Sequence, residues 1–266
     1  MIPLHDDMRS QRTPLVNYAM IGLCTLMFGL QLLAGPGNGS IVEKMGMVPA
    51  RLTAPAGEQI LVPEQMLVET PLGLQLFEGY RPLSPAVVPE WLTLITCVFL
   101  HGGWLHFLGN MWFLWIFGDS VEDRVGHLAY AALYLGTGVI AGLCHLIVNF
   151  DSPAPTIGAS GAIAGVMGAY LYMFPGARVV TLVPLLFLWP VIELPGPVFL
   201  GIWFSLQFWN GAAGVVGEAA AGVAWWAHIG GFVAGLACAA ALGRSPPSRR
   251  LEEAGSGQSS STDWDS

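Results

Sequence analysis

Charged side chains are scarce in this 266-residue sequence, where Asp, Glu, Lys and Arg together make up 11% against roughly 25% in a soluble domain. A chain this poor in charge does not fit intrinsic disorder. Basic residues number 10 against 18 acidic ones, for a formal net charge of -8, and no basic block occurs, so nucleic acid is not an expected partner. Cysteine is sparse as well. Cys24, Cys97, Cys144 and Cys238 are too few and too scattered for a disulfide scaffold and read as small apolar fillers. What is abundant is apolar: 54% of residues are hydrophobic and the mean hydropathy is +0.59. These residues fall into blocks close to bilayer length, which predicts a polytopic membrane protein rather than one or two soluble domains.

The first block, Pro14 to Ala34, has no charge in 21 positions, enough at about 1.5 Å per residue to cross a roughly 30 Å hydrocarbon core. It is too long for a signal peptide, and five more blocks follow. These are Trp104 to Gly118, with a possible earlier start inside Trp91 to Leu100, then His127 to Asn149, Ile157 to Phe174, Pro197 to Trp209, and Val223 to Leu242. Residues 179–196 carry Pro184, Pro190, Glu193 and Pro195, which a straight lipid-facing helix would hardly tolerate, so they read as an interfacial piece, with an extra span as the alternative. The expected fold class is an all-α membrane protein, a bundle of six transmembrane helices over residues 14–243. A cytoplasmic segment, residues 1–13, precedes it, and a disordered cytoplasmic tail, residues 244–266, follows. The long first outer loop, residues 35–89, holds eight prolines and seven glycines and is expected to be irregular, resting on the bilayer interface or against the bundle. With the N-terminus inside, seven Arg lie on the inner side and Lys44, Arg51 and Arg81 on the outer side, which favours N-in and C-in. The short N-terminus without a recognisable transit segment favours a bacterial-type cytoplasmic membrane.

Polar residues inside apolar spans are costly and so are functional candidates. The spans carry His101, His106 and Asn110, then His127 and His145, then Ser160, and finally His228. Ser160, His228 and Asn110 all fall roughly 5 to 9 Å below the outer surface if their spans run inward. His106 and Asn110, four apart, share a helix face and set two hydrogen-bond donors side by side. Donors beside a hydroxyl and an imidazole suit acyl transfer. Gly161 and Gly165 flank the Ser160 face, while Gly231 and Gly235 follow His228 at i+3 and i+7, so two small-residue faces could bring these helices close.

Each residue has a plainer reading. Ser160 alone could bond its own helical turn, and His228 alone could be a buried partner, a haem or metal ligand, or part of a proton relay. His127 sits at the interface and His145 has no evident partner, so both read as structural, and His101 could simply start a helix. Competing chemistries lack their residues: there is no His-Glu-x-x-His, no aspartate pair within a span, and Gly-x-Ser-x-Gly fails at Ala162. No metal or other cofactor is expected.

Taken together, His101-Gly-Gly-Trp-Leu-His106-Phe-Leu-Gly-Asn110, Gly158-Ala-Ser160-Gly161 and Ala227-His228-Ile-Gly-Gly231 with Gly235 resemble the motifs of rhomboid intramembrane serine proteases. The resemblance covers about Pro14 to Leu242. It implies Ser160 as nucleophile, His228 as general base and then acid, His106, Asn110 and the Ser160 backbone N–H as the oxyanion site, and membrane proteins in the bilayer as substrates. Two departures stand out. The aromatic that often follows the serine by four residues is Ala164 here, leaving open what holds the imidazole. The Trp-Arg pair of the first outer loop has Tyr80-Arg81 as its nearest counterpart. The rival readings are a catalytically silent relative that binds client transmembrane helices, and a transporter or proton relay built on His127 or His145. Neither substrate identity nor oligomeric state is legible.

Overall fold

The computed structural model describes every residue except 9, 38, 56, 72, 185–187, 217–222 and 244–266. The expected tail, Arg244, Arg249 and Arg250, Arg9, and part of the short loop after Trp209 therefore lie outside the described residues.

Each apolar block forms a helix. They are α1 (Leu15–Ala34), α5 (Trp104–Val125), α6 (His127–Val148), α7 (Ser160–Met173), α8 (Gly196–Val216) and α9 (Trp225–Leu242). Short helices α2 (Ile41–Met45), α3 (Pro49–Thr53) and α4 (Thr93–Thr96) lie between α1 and α5. By length and composition α1, α6 and α9 can each cross a membrane, and a fourth crossing arises if Glu90–Phe99 and Trp104–Val125, which bend by 81°, count as one. The chain is thus a mostly helical integral membrane protein. The helix α7 sits at its centre, with an unbroken run from Gly161 to Tyr170 buried.

Close approach of α7 to its neighbours depends on missing side chains. A Cβ on Gly231 would collide with the Gly161 carbonyl oxygen, and one on Gly235 with that of Gly165. The opposite flank of Gly165 is filled by Thr137 of α6. Glycine here sets the distance between helices, as small residues do where the lipid supplies no hydrophobic drive for association.

The helix α5 runs seven residues beyond the apolar block, because its charged last turns are used inside the protein. Glu122, 1% exposed, accepts the first-turn amides of Val16 and Asn17 at 2.8 and 2.6 Å, a carboxylate capping the positive end of α1. Its other neighbour is His127 Nδ1 at 2.5 Å. The Asn17 side chain donates to Leu114 O at 3.1 Å and accepts from Tyr130 OH at 2.7 Å. This cluster fastens α1, α5 and α6, and it gives His127 a structural partner.

Strands depart from the all-helical expectation in two places. The described residues of 179–196 form no extra helical span: β4 (Arg178–Leu182) and β5 (Val191–Pro195) pair antiparallel, and β1 (Ile2–Asp6) joins β4 in the order β1-β4-β5. The β-branched residues Val179, Val180, Thr181, Val191 and Ile192 favour the pleat, and the N-terminal segment supplies the partner the ladder needs. Asp6 accepts from Tyr170 OH at 2.6 Å, tying this sheet to the end of α7. The described residues of the first long loop also carry regular structure. It contains an antiparallel hairpin, β2 (Leu61–Thr70) and β3 (Gly73–Pro82), whose side chains are largely exposed. Its earlier half packs on the bundle, where Met47 and Thr156 exchange backbone hydrogen bonds at 3.1 and 2.7 Å and Met47 and Val48 are fully buried. Inside this loop Glu43 accepts from Arg81 at 2.7 Å and from the amides of Gly39 and Ser84. Burial would raise the Glu43 carboxyl, but these donors outweigh it and hold it below its ordinary range.

Candidate active site

Ser160 is the first residue of α7, so its N–H belongs to the first helical turn, which has no intrahelical acceptor. His228 lies in the first turn of α9, where its N–H donates to Ala224 O at 3.2 Å. The glycine contacts between α7 and α9 bring the two side chains together: Ser160 Oγ lies 2.7 Å from His228 Nε2, within the range for proton transfer. His228 is 9% exposed.

Both side chains line a cavity of about 620 Å³ that is also walled by His106, Asn110, Trp203 and Gln207, a volume within the range of small-molecule sites. His106, in the first turn of α5, accepts the Gly102 N–H at Nδ1 at 3.3 Å, which leaves its proton on Nε2. Gly158 explains where that proton points. Its φ of +128° is a left-handed conformation that favours glycine, and a Cβ there would stand 2.7 Å from His106 Nε2 and 3.6 Å from Ser160 Oγ. A side chain at 158 would therefore fill the space between the imidazole N–H and the serine. Asn110, one turn further along α5, is buried and its Nδ2 has no hydrogen-bond partner among the described residues. Both residues line the cavity, and the Asn110 amide donor is not taken by any described group.

His101 stands behind this group. Its backbone exchanges hydrogen bonds with the Gln31 side chain at 3.0 and 2.9 Å, and its buried ring packs 5.3 Å from that of His106 and 5.4 Å from Phe107. His145 stays local, near Asn149 on its own helix. Among the described residues no three His, Cys, Asp or Glu side chains converge on a metal-sized site.

Sequence reasoning passed over Gln207 and Trp203. Both lie on one face of α8, four residues apart. Gln207 Oε1 is 2.8 Å from His228 Nδ1, and the Trp203 ring lies 6.0 Å from the imidazole at 36°. Trp225 closes the other side edge-on, also at 6.0 Å. Together they occupy the role left open by Ala164, which is itself fully buried. The signal for Gln207 was present: it is the one amide side chain inside the apolar block Pro197 to Trp209.

Comparison with known proteins now bears on this arrangement. Residues 88–245, more than half the chain, match the rhomboid domain family model. The chain is similar to rhomboid protein 1, mitochondrial, of Saccharomyces cerevisiae, with 29% identity over 174 residues, covering 64% of this chain and 47% of the relative. It is similar also to the rhomboid protease GluP of Bacillus subtilis, with 32% identity over 165 residues, covering 62% of this chain and 29% of that protein. The presenilin-associated rhomboid-like protein A of Danio rerio matches at 30% over 110 residues, covering 40% of this chain and 29% of the relative. The matched stretch spans less than half the length of each of these relatives. The family match runs from just before α4 to the end of α9 and so includes every residue around the Ser160–His228 contact: the chain belongs to the rhomboid family.

Proposed function

We propose that this protein is a serine endopeptidase that hydrolyses peptide bonds in or near transmembrane segments of other membrane proteins. The observation that carries the reading is the 2.7 Å contact between Ser160 Oγ and His228 Nε2 beside a cavity with donors to spare. His228 takes the serine proton as Oγ attacks the scissile carbonyl, and the developing oxyanion is met by His106 Nε2–H, Asn110 Nδ2–H and the Ser160 N–H. As the tetrahedral intermediate collapses, His228 returns the proton to the leaving amine. Water then attacks the acyl-enzyme, with His228 again as base. A helical substrate hides its peptide bonds, so the cut segment must unwind, which favours small or helix-breaking residues there.

The same proposal takes six crossings over residues 14–243, N-in and C-in in a bacterial-type cytoplasmic membrane, with the cavity open to the outer side. Supporting it are six apolar helices in sequence and the seven-to-three distribution of basic residues. At 14 residues α7 is about 21 Å long, short for a lipid-facing span but sufficient for a helix enclosed by the others.

The test is labelling of the purified protein in detergent with a fluorescent fluorophosphonate, which reacts readily only with an activated serine. Wild type is expected to label, and Ser160→Ala and His228→Ala to fall to background while keeping the wild-type melting temperature. Folded wild type that takes no label would favour the reading in which the protein binds client helices without cutting them.

A further inference from the structure

We propose that Gln207 is a positioning residue that fixes the productive tautomer of His228, adding a third member to the site from α8. The inference rests on the protease reading above and deepens it.

The Ser160 hydroxyl must find a bare nitrogen, so His228 Nε2 has to be unprotonated and the ring's one proton has to sit on Nδ1. A neutral imidazole in an apolar bundle has no intrinsic reason to hold that form. Gln207 supplies one: its Oε1 lies 2.8 Å from Nδ1, and an oxygen can only accept, so the Nδ1–H form is the one it bonds. The contact is buried, with Gln207 8% and His228 9% exposed. Trp203, one turn earlier on α8, and Trp225 on α9 restrict ring rotation, so the hydrogen bond and the two aromatic faces hold orientation together.

An amide suits this place better than a carboxylate. In an acyl-transfer triad the third group orients the histidine and offsets the charge of the imidazolium that forms. Within a bilayer-spanning bundle a carboxylate would be a buried charge throughout the resting state. A neutral acceptor sets the tautomer without that cost. Because Gln207 belongs to α8, whereas Ser160 and His228 belong to α7 and α9, seating of α8 against α9 becomes a condition for an armed serine.

The experiment compares wild type with Gln207→Met, which keeps side-chain length and removes the acceptor, and Gln207→Glu, which restores an acceptor. Two readouts are taken on folded protein of matched melting behaviour. The first is the ring-nitrogen chemical shifts of His228 in protein labelled with 15N-histidine, assigned by their loss in His228→Gln. The second is fluorophosphonate labelling, resolved into a maximal rate and a half-saturating concentration. Wild type is expected to carry its proton on Nδ1. Gln207→Met should show a shift toward protonated Nε2 and a maximal rate about tenfold lower at unchanged half-saturation, with Gln207→Glu recovering most of the rate. A wild-type proton on Nε2, or a Met variant with unchanged tautomer and rate, would overturn the assignment. Unlabelled wild type would overturn the protease reading instead, and the nitrogen shifts would still decide the tautomer.

Discussion

Two of the buried polar clusters in this bundle, one around Glu122 and one around Ser160, are built on opposite principles. Around Glu122 every group is matched: the carboxylate takes the Val16 and Asn17 amides and His127, and the Asn17 amide group is used at both ends by Leu114 and Tyr130. Around Ser160 the pairing stops short. The serine, His228 and Gln207 form a chain, but it opens on a cavity, and beside it the buried Asn110 Nδ2 has no partner among the described residues. A satisfied network fastens helices, whereas unspent donors beside a cavity are capacity held for something that binds. Polarity within a helix therefore marks both kinds of residue, and what separates these two clusters is the cavity beside the second.

Substitutions in each cluster can break this contrast. The largest stability effect is expected for Glu122→Ala, which strips the cap from α1 and leaves buried amides unmatched, a loss of about 3 kcal/mol. It should appear as a lower melting temperature in detergent, with fluorophosphonate labelling per folded molecule unchanged. Asn110→Ala should do the reverse. It removes a donor that no described group uses, so melting should hold while labelling or cleavage falls about 100-fold. If both variants lost stability and neither lost reactivity selectively, the two clusters would be of one kind.

A smaller effect sharpens the comparison at the far end of α7. Burial and the nearby Asp119 charge raise the Asp6 carboxyl from its ordinary 3.8 to about 7, against the opposing hydrogen bond from Tyr170. A raised acid favours the folded state while protonated, so its contribution is complete below about pH 3.8 and is lost as pH rises through about 7. The melting temperature is expected to decline across that window, and Asp6→Asn, which stays neutral, should flatten the decline. An identical slope in both proteins would show that Asp6 does not carry it.

Much of the helical framework was legible because hydropathy is local. The blocks Pro14 to Ala34 and His127 to Asn149 announce α1 and α6 within a residue. The block ending at Gly118 understates α5, since Glu122 is charged yet faces inward to cap a helix more than 100 positions earlier. The run from residue 179 reads as interfacial on its prolines, but its strand pairing with Ile2–Asp6 depends on a partner elsewhere in the chain. At the site, Ser160, His228, His106 and Asn110 could be picked out as polar residues in apolar spans. Gln207 meets the same criterion, but an amide has no acid-base role of its own and matters only through the ring it touches.

By itself the sequence determined a membrane-embedded helical chain, the order of its apolar segments, the small-residue faces of α7 and α9, and a short set of polar residues in reach of chemistry, all consequences of composition and spacing along one segment. Only the tertiary structure decided which of those residues meet and how each hydrogen bond is spent. Gln207 reaches His228 from another helix, Glu122 reaches the start of α1, and Gly158 leaves room beside His106. Each of these is a contact between segments far apart in the chain, and no local pattern encodes which partner packing will bring.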